Sequence, residues 1–212
     1  MLAIRLFGAL EARHDDRRLP DPRRRSTARL LAFLAWHAGG ALPRRAAAEG
    51  LWPDMPAADA LAELRRNLHE LAAYLADATG RDGWLEATRR TLALAAVDDV
   101  RCDAVAFVRL CRGGISLAHD DPASATAALE EAVALHAAEL LSDWDDEWLE
   151  GPRRVVRDLL GEALATLVRL AEVGGTPRAA LGHARRLVAL DPLHETAHRS
   201  LMRLHARAGD RA

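Results

Sequence analysis

The stretch "LWPDMPAADALAELRRNLHELAAYL", residues 51–75, decides how the chain is read. Leu61, Leu64, Leu68, Leu71 and Leu75 recur at steps of three and four, which puts them on one helical stripe facing a core. The opposite face presents Asp59, Ala62, Glu63, Arg66, His69, Glu70 and Ala73, with Arg65 on the flank. Taken alone, mixed charges of this kind favour a solvated amphipathic helix. A helix lying in a DNA groove has the same stripe, with arginines that reach guanine O6 and N7. Arg65, Arg66, Asn67 and His69 are the side chains that would make such contacts. The neighbouring segments shift the balance toward this second reading.

Residues 2–20 alternate loosely between apolar and polar types, with "HDDRR" as a turn between two short strands. A basic cluster at Arg23, Arg24 and Arg25 follows, and Ser26 or Thr27 is expected to cap a helix running to the Gly39-Gly40 stop. "PRRAAAEGLW" gives a short second helix that ends before Pro53. The third helix starts near Pro56 and runs to about Thr79, where Gly80 ends it. "WLEATRRTLAL" then reads as a β-hairpin tipped by Arg89 and Arg90. Strands, three helices and a hairpin, in that order, describe a winged helix-turn-helix over residues 1–97.

Past Asp98 strand signals vanish. Helical periods recur around 103–118, 123–139, 152–173, 178–190 and 195–208. "AALEEAVAL" (127–135) and "AALGHARRLVAL" (179–190) share small residues beside leucines, the mark of helix-hairpin repeats that approach closely. Residues 98–212 are therefore expected to form an all-α, tetratricopeptide-like domain, and the closing "AGDRA" is a usual turn into a further repeat helix.

Composition agrees with packed helices: half the residues are hydrophobic and only 4% aromatic. All 29 basic residues are arginine, and the net charge is −2. Residues 1–97 carry 15 arginines against 12 acids, and residues 98–212 carry 14 against 19, so only the first part has a local excess of positive charge. Two cysteines, Cys102 and Cys111, are too few for a disulfide framework. The stretch "MLAIRLFGALEARHDD" lacks the uninterrupted apolar core of a signal peptide and no later run approaches a membrane span, so a cytoplasmic location is expected.

Catalytic constellations are weak. "HETAH" matches the HExxH zinc-peptidase pattern through His194, Glu195 and His198, but His194 falls at a helix start and no acidic or histidine partner in a convincing third-ligand setting follows. "SDWDDEWLEGPRR" (142–154) lacks EF-hand spacing and reads as a loop anchored by Trp144 and Trp148, its acids solvated or paired with Arg153 and Arg154. There is no phosphate-cradling glycine loop and no GxSxG elbow. Neither an enzyme, a cofactor nor a metal is expected.

The segments "RLFGALEA", "RRRSTARLLAFLAWHAGGALPRRAAAEGLWPD" and "ALAELRRNLHEL" resemble the DNA-binding domain of the SARP family of bacterial activators, the Streptomyces antibiotic regulatory proteins. "ELLSDWDDEWLEGPRR" and "ALGHARRLVALDPLHETAHRSLMRLHARAGDRA" resemble that family's bacterial transcriptional activator domain. The resemblance implies an OmpR/PhoB-type winged helix followed by a tetratricopeptide-like domain, in a transcriptional activator. It further implies binding to double-stranded DNA on promoter direct repeats, side-by-side self-association there, and contact with RNA polymerase. By the same resemblance Arg65, Arg66 and His69 would be groove contacts, Arg89 and Arg90 the wing, and Arg24, Arg25 and Arg29 phosphate contacts. Glu63 and Glu70 depart from the family pattern. With the net charge, they motivate the alternative of a protein-interaction module whose winged helix no longer reads DNA.

Overall fold

A computed structural model describes residues 1–95, 99–193 and 195–208. The expected domain boundary at 97/98 and the His194 of "HETAH" lie outside the described residues. The chain divides into two compact units that are not consecutive in sequence. The first comprises Met1–Ala106 and Ala137–Pro152, and the second Phe107–His136 and Arg153–Ala212.

The first unit opens with β1 (Leu2–Arg5), β2 (Glu11–His14) and β3 (Arg17–Arg18), joined as antiparallel neighbours. Asp15 and Asp16, with φ of 46° and 65°, make the tight turn inside "HDDRR"; aspartate tolerates this left-handed region better than most residues. A further strand, β7 (Val100–Cys102), runs parallel to β1 and completes the sheet in the order β3-β2-β1-β7. The sequence carries no strand signal there because three residues are too few for a period. Pairing with β1 supplies what local pattern lacks, and Val100 and Cys102 are buried while Arg101 is exposed.

Three helices follow: α1 (Arg25–Trp36), α2 (Arg44–Leu51) and α3 (Ala57–Thr79). The expected Ser26/Thr27 cap is not formed; the cap position is Arg24, whose side chain makes no capping hydrogen bond. Thr27 is instead buried, and its hydroxyl donates to Glu70 on α3 at 3.2 Å. At the other end of α3, Gly80 takes a left-handed φ of 70° and terminates the helix as its sequence implies. Leu64, Leu68, Leu71 and Leu75 of the stripe are buried and Leu61 is half-buried. They pack in one core with Leu30, Leu31 and Leu34 of α1 and Leu51 of α2, each full burial contributing about 1.5–3 kcal/mol. The wing is β5 (Leu85–Ala87) and β6 (Thr91–Leu94); β4 (Leu42–Pro43) joins them in the order β4-β6-β5.

Residues 137–152 return to this unit. The amides of Gly8 and Leu141 donate to the carbonyls of Glu139 and Leu6 at 2.9 and 2.8 Å, so the segment lies along the chain just after β1. Trp148 meets Phe33 edge-on at 5.2 Å, and Trp144 is buried. The tryptophans anchor the segment as expected. Asp146, however, pairs with Arg25 and Arg29 of α1, partners a sequence-local reading does not find across more than a hundred residues.

The second unit is helical. It takes most of α4 (Asp103–Leu117) and α6 (Glu150–Val173), with α5 (Pro122–Leu135), α7 (Pro177–Leu190) and α8 (Glu195–Ala208). Asp121 caps α5 by accepting from the Ser124 amide at 3.0 Å, with Pro122 in the first helical turn. Ala180, Ala184 and Leu204 pack with Val168 in one buried cluster, so the small residues lie at helix contacts. No helix among the described residues is long and apolar enough to cross a membrane.

Candidate nucleic-acid interface

The outer face of α3 exposes Arg65, Arg66 and His69. Asn67 is placed differently: it is 1% exposed and its amide donates to the Glu63 carbonyl and side chain at 3.0 and 2.7 Å. One step beyond Arg66 at 100° per residue carries it onto the leucine side, so this candidate faces the core and not a groove.

The wing is shaped by its threonines. Thr88 Oγ1 accepts from the amides of Arg90 and Thr91 at 3.1 and 2.9 Å, a turn that leaves Arg89 and Arg90 exposed at the tip. Arg44, the first residue of α2, ties this tip down: its amide donates to the Arg90 carbonyl at 2.9 Å and its Nε to the Thr88 carbonyl at 2.7 Å. The result is an open concavity of about 900 Å³ between the start of α2, the start of α3 and the wing, lined by Arg44, Arg45, Arg65, Arg89 and Arg90 among others. Arg65, Arg89 and Arg90 have no carboxylate within 4.0 Å among the described residues. Arg45 pairs with Glu49 at 2.6 Å, a hydrogen bond that raises its already high pKa, and both side chains remain largely exposed.

Arg44 and Arg45 escaped the sequence reading. They are visible in "ALPRRAAAEG", but their place beside the wing depends on β4 pairing with β6.

The other expected arginines, Arg24, Arg25, Arg29 and Arg66, are engaged by acids of their own unit. Glu70 accepts from Arg24 at 2.9 Å and from Thr27, and Glu63 accepts from Arg66 and Asn67. Arg25 meets Asp146 at 3.2 Å, and Arg29 binds both Asp146 and, at 2.8 Å, the Leu51 carbonyl. Glu63 and Glu70 are therefore internal partners of α3 and α1.

No group of three or more metal-ligating side chains occurs among the described residues. His198 Nε2 lies 2.9 Å from the Pro192 carbonyl and Glu195 pairs with Arg199. Burial pushes the thiols of Cys102 and Cys111 up to about 12, away from the thiolate a nucleophile needs.

Comparison with known proteins joins this geometry to a family. The model of the bacterial transcriptional activator domain matches residues 102–212, just over half of the sequence. The chain belongs to the bacterial transcriptional activator domain family. A solved structure, Mycobacterium tuberculosis EmbR in complex with low affinity phosphopeptide, matches with a TM-score of 0.79 at 21% identity. That match covers 99% of this chain and 55% of the EmbR chain, so this chain spans about half of that protein's length. At such identity the likeness establishes the fold, a winged helix followed by a helical domain. No match among curated protein sequences accompanies these two. Together with the family match, the fold upholds the resemblance to SARP-type transcription regulators.

Proposed function

We propose that this SARP-type regulator is a cytoplasmic transcriptional activator that binds double-stranded DNA through α3 and its wing. The observation that carries the reading is the arginine-lined concavity, where Arg65 on α3 and Arg89 and Arg90 on the wing stand without acidic partners among the described residues. In this reading Arg65, Arg66 and His69 reach base edges, and Arg89, Arg90, Arg44 and Arg45 hold phosphates. The family implies side-by-side binding on promoter direct repeats and contact with RNA polymerase.

The experiment is genomic footprinting of the full-length protein, followed by titration of the recovered duplex at several salt concentrations. Tight binding that weakens linearly in log salt supports the reading. Binding no stronger than that of an acidic control protein sinks it.

A second reading is favoured by one observation: Arg24, Arg25, Arg29 and Arg66 each have a carboxylate partner within the unit. A winged helix so neutralised would serve as a protein-interaction module. It predicts a stable complex with another protein and no salt-dependent DNA affinity.

A further inference from the structure

The first turns of α1 would suit a phosphate. Helix N-termini attract anions, no acid lies in the first turn of this one, and Arg24, Arg25 and Arg29 surround it. Arg24 is drawn off by Glu70. The other two are held by a single carboxylate, Asp146, whose side chain is only 8% exposed.

The two arginines are held differently. Arg29 is 24% exposed and also bonded to the Leu51 carbonyl, so it fastens α1 to the end of α2 and to residues 137–152. Arg25 is 63% exposed, with its guanidinium 3.2 Å from Asp146 and 5.4 Å from the centre of the Trp144 ring. Both of its anchors lie within the span matched by the activator-domain family. Among the described residues no other hydrogen bond or ion pair holds its side chain.

We infer that Asp146 is a positioning residue of the DNA-binding unit: by holding Arg25 against Trp144 it withholds that arginine from the DNA backbone. A segment of the activator domain thereby limits the grip of the winged helix. The inference rests on the DNA-binding reading above. Releasing Arg25 would add one phosphate contact, and such a contact acts on every sequence alike.

The test measures binding of the full chain to one footprinted duplex and one unrelated duplex between 50 and 200 mM salt. Asp146→Asn is expected to bind both about threefold to tenfold more tightly, with a log–log salt slope steeper by about 0.9. Arg25→Ala alone is expected to change affinity less than about twofold and leave the slope unaltered, while in the Asp146→Asn background it abolishes the gain. A slope that falls by about 0.9 in Arg25→Ala alone would show Arg25 already on a phosphate and overturn the inference. Should Asp146→Asn lose its fold because Arg29 is stranded, as judged by circular dichroism, the pair Asp146→Asn/Arg29→Met, which strands no charge, takes its place: the same gain is expected, and no gain overturns the inference. Wild-type binding with a folded Asp146→Asn unchanged overturns this inference alone. Absence of binding in both overturns it together with the DNA reading.

Discussion

The amide of Asn67 donates a 2.7 Å hydrogen bond to Oε1 of Glu63, one turn earlier on α3, while the other oxygen of Glu63 holds Arg66. An acid on the face expected to meet DNA is thus occupied by two donors of its own helix. The charge on Arg66 is part-compensated before any ligand arrives, and Asn67 has become a packing residue. Its Oδ1 is buried without a partner among the described residues.

Asn67→Ala should therefore lower stability by about 1 kcal/mol, since it removes modest hydrogen bonds along with an unsatisfied oxygen. Chemical denaturation measures this. Base preference on a panel of altered duplexes should stay as in the wild type. A changed preference at unchanged stability would put Asn67 in the groove after all.

Arg65 and Arg66 are neighbours on α3 but differ in what they must give up. Arg65 has no carboxylate partner among the described residues, whereas Arg66 has to leave Glu63 before it can reach a base. Arg65→Ala should cost about 1–3 kcal/mol of affinity for the cognate site, and Arg66→Ala less. The Arg89→Ala/Arg90→Ala pair should weaken binding to all sequences and flatten the salt slope by up to about 0.9 for each phosphate the two arginines neutralise. Fluorescence anisotropy at several salt concentrations separates the two behaviours. Equal losses for Arg65→Ala on cognate and unrelated duplexes would assign it to the backbone.

Much of this unit is legible in the sequence because its signals are local. The leucine spacing of α3, Gly80 at its end and the threonine-flanked arginines of the wing each need only a few adjacent residues. The features that escape depend on distant pairing. β7 exists because β1 offers it an edge, Thr27 abandons its cap for Glu70, and Asp146 returns from far along the chain to Arg25 and Arg29. The site follows the same rule. Arg65, Arg89 and Arg90 can be picked out one by one, but Arg44 and Arg45 join them only through the β4–β6 pairing that brings α2 to the wing.

In the second unit, adjacent glycines on α4 should respond in opposite directions. A Cβ at Gly114 would meet Leu129 Cγ of α5 at 2.7 Å and the Ala125 carbonyl at 3.2 Å, whereas one at Gly113 meets nothing within 4 Å. Replacing an exposed helical glycine by alanine gains about 0.8–1 kcal/mol. Overpacking a tight contact costs about 1–3 kcal/mol. Gly113→Ala should raise the thermal midpoint, and Gly114→Ala should lower it despite the same gain in helix propensity. A Gly114→Ala protein as stable as Gly113→Ala would mean that α4 and α5 separate at no cost.

Asp103 should make the fold respond to acid against the usual trend. Its carboxylate accepts from the amides of Leu6 and Phe7, at 2.7 and 3.2 Å, and from Ala104 at 2.7 Å, joining the end of β1 to the start of α4. Burial raises its pKa above the ordinary 3.8 and outweighs the opposing pull of those backbone amides. The folded-state pKa thus exceeds the unfolded one, so the contribution of this group is complete below the unfolded value and is lost as pH rises through the folded value. Asp15, Asp99 and Asp121 shift the other way, each held low first by a hydrogen bond, and they lose their contribution on acidification. The stability of the wild type minus that of Asp103→Asn cancels those common terms. This difference should grow as pH falls from 7 toward the ordinary value of 3.8, which denaturant titrations at stepped pH can follow. A difference that stays flat, or shrinks in acid, would show that the three amides and not burial govern the carboxylate.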